Sequence, residues 1–317
     1  MNRLTSSSRH SMLVRIISSL VMLLICVPCV SFGSWFYFAL IIVAGGLATY
    51  EIVHTTCKEN FKISTLLVAL AFVYCLSILP IFIKEDTISS IKTTGVIRVF
   101  SLYLSPLLLF IFFIAFFILV LIHQEFTLTK ATFLYVFCLY IGLAMASLYY
   151  VRYLPNTGKY YGEEGLRSSL LLLYIVIAVC VNDIGAYFVG MLFGKHHMCP
   201  HISPHKTWEG FAGGVVFSFV FSFLFAFILS KCSYPILRGT LDVPHVYWII
   251  VFSLLMPLAA VIGDLLFSLV KRNFGIKDFS NLIPGHGGIL DRIDSLSFAV
   301  IFVAVLILAI SSAWKLY

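Results

Sequence analysis

Apolar residues run through this chain in long blocks separated by short polar stretches, with none of the strict alternation of a half-buried sheet. Nine blocks reach membrane-crossing length, roughly at 13–32, 35–53, 64–83, 101–122, 131–150, 169–193, 211–230, 246–270 and 296–315. About 20 helical residues cross a bilayer core. Backbone groups in lipid must be satisfied within the segment that carries them. The pattern therefore predicts an all-α integral membrane protein, a polytopic bundle of about nine transmembrane helices. Barrel strands would be shorter and would alternate.

Composition agrees. Of 317 residues, 61% are hydrophobic and only 11% charged, which excludes an ordinary soluble domain. Arg3, Arg9 and Arg15 ahead of the first block have the look of a secretory signal. That block is long, lacks a small-residue exit and meets the second almost at once, so an uncleaved first transmembrane helix is expected. Cys26, Cys29, Cys75, Cys138 and Cys180 lie inside blocks, where cysteine packs as a small apolar residue and gives no disulfide framework. The net charge of +7 is spread over the connectors. It suits anionic lipid headgroups, and no basic arm or aromatic platform suggests a nucleic-acid partner.

Polar content divides the chain. Residues 1–168 hold about five spans with plain connectors, of which 84–95 and 152–168 (with Glu163 and Glu164) read as solvated. Glu51, near the end of the second block, is expected to reach the membrane interface. Residues 169–317 hold about four spans and most of the chemistry-bearing residues. With the N-terminus in the cytoplasm, the loops 194–210 and 271–295 fall together on the cytoplasmic side, where they could build one site. A slight excess of Lys and Arg on that side agrees.

Three segments carry candidate chemistry. In Asn182-Asp183-Ile-Gly-Ala-Tyr187-Phe-Val-Gly190, Asp183, Tyr187 and Gly190 recur on one helical face. Its small residues admit another helix or a ligand. A carboxylate in an apolar helix is expected to face the interior or a water-filled cavity, where Asp183 could also serve only as an interhelical hydrogen bond. Ser203-Pro-His205-Lys206-Thr207-Trp208-Glu209-Gly210 offers Ser203, Lys206 and Thr207 to phosphate oxygens, although Lys and Trp at a helix end are also common membrane anchors. The nearby His196, His197, Cys199, His201 and His205 fit no closed zinc spacing.

The densest segment runs from Gly263-Asp264 to Asp294. Asp264, Ser268 and Lys271 repeat along one face, carboxylate to hydroxyl to ammonium. Lys271, Arg272, Lys277 and Arg292 suit phosphate, and the glycines of Pro284-Gly285-His286-Gly287-Gly288 let backbone approach a ligand closely. Asp291 and Asp294 open the next helix. Asp264 and Asp291 approaching across that turn would form an oxygen-rich magnesium site, with an ion-pair network as the plain alternative.

The stretch from Ser268 to Asp294 resembles the signature of the phosphatidate cytidylyltransferases, S-x-x-K-R-x4-K-D-x-S-x2-L/I-P-x-H-G-G-x-x-D-R-x-D, at every fixed position. The segments at 182–187 and 203–210 also resemble family motifs, with His205 where relatives commonly place a second basic residue. The likeness covers roughly 183–295, and the first 168 residues match only in being several spans.

The resemblance implies transfer of CMP from CTP to phosphatidic acid in phospholipid biosynthesis, giving CDP-diacylglycerol and pyrophosphate. It implies a bacterial inner membrane location with the site facing the cytoplasm, with membrane lipids as surroundings and a homodimer as an open possibility. Magnesium, with room for a second metal ion, would be held by Asp264 and Asp291, with Asp183 and Asp294 as auxiliary ligands. Lys206, Lys271, Arg272, Lys277 and Arg292 would hold phosphates. Ser203, Thr207, Ser268, Asp278, His286, Gly287 and Gly288 would line the substrate. Two other readings compete. A CTP-dependent lipid-alcohol kinase would release CDP rather than pyrophosphate, and a proton-coupled transporter should show paired broken helices in both halves.

Overall fold

A computed structural model describes residues 6–58, 61–82, 94–153 and 169–313. Among these, a helix covers each of the nine apolar blocks: α1 (Ser6–Phe32), α2 (Ser34–Cys57), α3 (Ile63–Phe82), α4 (Thr94–Ile122), α5 (Leu128–Tyr153), α6 (Leu170–Phe193), α7 (Trp208–Lys231), α8 (Val246–Asn273) and α9 (Leu290–Ala313). Seven are long and apolar enough to cross a membrane. The other two, α3 and α4, contribute shorter apolar stretches, Ile63–Ile78 and Pro106–Ile122. The protein is thus an all-α polytopic membrane protein; among the described residues it carries one small hairpin, in which β1 (His197–Cys199) pairs antiparallel with β2 (Ser203–Thr207). Most of the connectors at 84–95 and 152–168, with Glu163 and Glu164, lie outside the described residues, as does a boundary at residue 168.

The chain forms two compact units that interleave along the sequence. Unit 1 is Met1–Leu79, Gly95–Met145 and Phe274–Ile293, and unit 2 is Pro80–Thr94, Ala146–Asn273 and Asp294–Tyr317.

Aromatic contacts tie three helices of unit 1 together. Phe72 of α3 stacks on Phe112 of α4 at 4.7 Å and on Tyr135 of α5 at 5.2 Å. Such offset contacts stabilise beyond simple burial by about 0.5–1.5 kcal/mol per pair. Lipid tails give no hydrophobic drive for helices to associate, so close approach and buried hydrogen bonds must hold the bundle.

Unit 2 uses close approach. A side chain at Gly214 of α7 would lie 2.7 Å from the Asn182 carbonyl oxygen of α6, and one at Gly185 would lie 2.9 Å from Phe217. Within this segment Gly185 and Gly190 therefore admit a helix, while Asp183 and Tyr187 stay exposed. Ser218 adds a 2.7 Å hydrogen bond to the Ala178 carbonyl, and Tyr174 pairs with Ser253 of α8 at 2.7 Å, both buried.

Candidate functional site

Three helices of unit 2 and its hairpin supply one polar cluster. The hairpin is set at both ends. Thr207 caps α7 by accepting from the Gly210 N–H at 3.1 Å, and the Trp208 N–H donates to the His196 carbonyl at 2.9 Å. Glu209 closes the loop by accepting from His196 Nδ1 at 2.6 Å and from the Lys195 and His196 N–H groups at 3.1 and 3.2 Å. Thr207, expected to meet phosphate, thus has a helix cap as its first role.

Because β2 leads straight into α7, it carries Lys206 to the C-terminal half of α8, where Nζ pairs with Asp264 Oδ2. Both side chains are 28% exposed, so the pair is neither sealed in nor fully solvated. Ser268, one turn on, donates to Asp264 Oδ1 at 3.3 Å, as the i, i+4 spacing predicts. Asp183 lies within electrostatic reach of Asp264 and Lys206, and Asp294 within reach of Asp264, Asp183 and Lys271. Asp183 remains exposed. Arg272 donates from Nε to the Ile202 carbonyl at 3.2 Å, so the C-terminal end of α8 and the hairpin meet. Within unit 2, the 194–207 loop and the end of α8 therefore lie on the same side of the bundle, as the alternation of spans requires.

The remaining signature residues belong to unit 1 and make a second polar cluster. Ile283-Pro284-Gly285-His286 has the pattern of a type II turn, with Pro second, Gly285 third at φ 74°, and the His286 N–H bonded to the Ile283 carbonyl at 2.9 Å. Gly287 continues at φ 83°, and its N-terminal neighbour His286 is held through both ring nitrogens, by Ser18 Oγ at 2.8 Å and Ser19 Oγ at 3.1 Å. Asp291, only 7% exposed, accepts from the Phe279 N–H at 2.9 Å and the Gly288 N–H at 3.0 Å through Oδ2. Asp278 lies beside it, since a side chain at Gly287 would be 3.0 Å from Asp291 Oδ2 and 3.4 Å from Asp278 Cβ. Lys277 and Arg292 are exposed.

Glu51 departs from expectation. Its side chain is buried within the protein, 2% exposed, and α2 continues past it to Cys57. Its carboxylate accepts from Ser280 Oγ at 2.6 Å and from the Ile289 and Leu290 N–H groups at 2.9 Å each. Sequence reasoning had a signal here, a carboxylate inside an apolar span. Ser18 and Ser19 carried none.

Among the described residues, no three His, Cys, Asp or Glu side chains converge as a metal-holding group. Asp183, Asp264 and Asp294 are nonetheless hard oxygen donors gathered in one region. Magnesium commonly takes one or two protein carboxylates and completes its shell with water and substrate phosphates, so this donor set fits that ion.

The Cytidylyltransferase family model matches residues 13–310, and the chain belongs to that family. It is 33% identical to a phosphatidate cytidylyltransferase of Bacillus subtilis over 188 residues, 59% of this chain and 62% of that protein. To one of Haemophilus influenzae it is 41% identical over 144 residues, 45% of this chain and 48% of the relative. In these two alignments the chain spans about half to three fifths of the relative's length. Against one of Staphylococcus epidermidis the identity is 28% over 301 residues, 94% of this chain and 99% of that protein.

Proposed function

We propose that this chain is a phosphatidate cytidylyltransferase, moving CMP from CTP to phosphatidic acid to give CDP-diacylglycerol and pyrophosphate. The observation that carries the reading is the Lys206–Asp264 pair, which joins two separate motif segments into one charged cluster with Ser268, Asp183 and Asp294 around it. A phosphate oxygen of the lipid attacks the α-phosphorus of CTP, the α–β anhydride bond breaks, and the electron pair leaves on pyrophosphate. The lipid phosphate is already an anion at neutral pH, so no general base is needed. What the reaction needs is charge: two anionic substrates must meet, and such transfers depend mainly on positioning and electrostatic stabilisation.

In unit 2, Lys206, Lys271 and Arg272 are the cations assigned to phosphate. In unit 1, Lys277 and Arg292 are. Asp264, with Asp183 and Asp294, would hold magnesium, and a bound ion would neutralise charge developing on the phosphoryl oxygens. Ser268 orients the Asp264 carboxylate, and Lys206 balances its charge until substrate arrives. Asp291 enters the proposal as the residue that shapes the Gly287–Gly288 backbone, because its Oδ2 already serves two N–H groups. Ser203, Thr207, Asp278 and His286 complete the substrate surroundings.

Isotopic labelling separates this reaction from a CTP-dependent lipid kinase. With magnesium and phosphatidate, α-phosphorus label from CTP should enter the lipid while γ label leaves as pyrophosphate. Label from the γ position in the lipid, or full activity with diacylglycerol in place of phosphatidate, overturns the assignment.

The proposal extends to a bacterial inner membrane with the cluster on the cytoplasmic side, where the nucleotide is. Cys199 in the hairpin and Cys232 just past α7 mark opposite ends of a helix about 36 Å long. In single-cysteine variants in intact cells, an impermeant thiol reagent should reach Cys232 and spare Cys199. The reverse pattern overturns the sidedness.

A further inference from the structure

We infer that Glu51, on the second helix, is a positioning residue for the signature segment, holding the Gly288–Leu290 backbone in the shape that the transfer reaction uses. The inference rests on the reaction proposed above and adds to it a residue from the half of the chain whose connectors are plain.

The physical argument starts from burial. A carboxylate that is 2% exposed inside a membrane bundle is costly unless its oxygens are fully bonded. Glu51 meets that requirement entirely within unit 1. Oε1 accepts from Ser280 Oγ and from the Ile289 N–H, and Oε2 accepts from the Leu290 N–H. Leu290 is the first residue of α9, so the carboxylate sits at the helix start, where unpaired N–H groups and the helix dipole favour a negative charge.

Gly288 is part of the same device. A side chain there would place its Cβ 2.6 Å from both Glu51 oxygens, so only glycine lets the carboxylate reach the N–H groups beyond it. Asp291 then binds the Gly288 N–H from the other side of the residue sequence at 3.0 Å. Two carboxylates from different helices therefore bracket three consecutive residues, Gly288, Ile289 and Leu290. Two charge-assisted bonds to this backbone and a third to Ser280 Oγ, all to a single side chain, fix the segment far more tightly than solvent would. Both Glu51 oxygens are engaged in this way, so its action on substrate runs through the segment it holds.

Glu51→Gln tests this directly. It keeps the length of the side chain but turns one acceptor into a donor that faces an N–H or hydroxyl donor. In detergent-purified protein, kcat for CMP transfer should fall about 10- to 100-fold, the range seen when reacting groups are misplaced by about an ångström. KM for CTP should change by less than about threefold if the loss is in positioning for the transition state rather than in uniform binding. Amide exchange at Ile289 and Leu290 should accelerate, while exchange in α6 and α7 stays as in the unaltered protein. Near-normal kcat in a folded Glu51→Gln protein overturns the inference, as does a lower yield of folded protein whose kcat per folded molecule is unchanged.

Should Glu51→Gln fail to fold, Ser280→Ala carries the test, because it removes one bond and leaves the carboxylate in place. It should lower kcat about fivefold, the equivalent of one modest hydrogen bond, and speed exchange at Ile289. Unchanged values in that variant overturn the inference equally. The exchange readout does not depend on activity. If the unaltered protein transfers no CMP yet protects Ile289 and Leu290, the proposed reaction fails, and with it the catalytic part of this inference, while the contact itself stands.

Discussion

Two groups of carboxylates in this protein are built from the same residue types and put to opposite uses. In unit 2, Asp264 faces other side chains, Lys206 and Ser268, and keeps 28% of its side chain exposed. In unit 1, Glu51 and Asp291 face the backbone, are 2% and 7% exposed, and between them accept from four N–H groups. A side-chain partner on a flexible lysine can be exchanged for a metal ion or a phosphate at little cost. A carboxylate bonded to fixed N–H groups cannot leave them without stranding buried donors, which costs about 1–3 kcal/mol for each group. The first arrangement suits chemistry and the second suits architecture.

The largest effect should come from Asp264→Asn. It removes the charge that gathers Lys206 and the proposed ion, and kcat/KM for CMP transfer should fall about a hundredfold or more. Because the pair is partly exposed, the thermal midpoint should barely move. A folded Asp264→Asn protein with near-normal turnover at low magnesium would remove this residue from the site.

Asp291→Asn should split differently. Activity should also fall by about a hundredfold, since the turn loses its shape, but stability should fall with it, by about 1–3 kcal/mol. Faster exchange at the Phe279 and Gly288 amides would locate that loss. An activity loss without any change in stability or exchange would move Asp291 into the first class and blur the comparison.

The smallest effect belongs to Asp242, which also binds backbone and local partners, the Gly239 N–H at 2.7 Å and His245 Nδ1 at 2.6 Å, in the connection between α7 and α8. Asp242→Asn should cost about 1 kcal/mol of stability and leave CMP transfer unaltered. A large activity loss there would show that carboxylate burial and partner type do not sort these residues by role.

The apolar blocks were legible because membrane-crossing length and internal backbone bonding are properties of the local segment. Even so, helix ends shifted: α2 runs on to Cys57 and α8 to Asn273, since polar residues at a helix end remain helical while their side chains find partners. The hairpin at 197–207 was not foreseen. Its strands have 3 and 5 residues, too short to announce a period, and they are stabilised by Glu209 and the start of α7. The Asp264–Ser268 contact could be read from a spacing of four. Lys206–Asp264 could not, because 58 residues separate the partners.

The sequence by itself determined the helical membrane class, the signature segment and the charge that suits phosphate, because hydropathy, turn residues and i, i+4 spacing act over a few residues. Only the tertiary structure decided what each carboxylate does. Glu51 and Leu290 are 239 residues apart, and whether such a group meets lipid headgroups, a lysine or a row of backbone N–H groups depends on which helices pack together. In a medium that cannot solvate charge, that choice of partner sets both the energy of the group and its role.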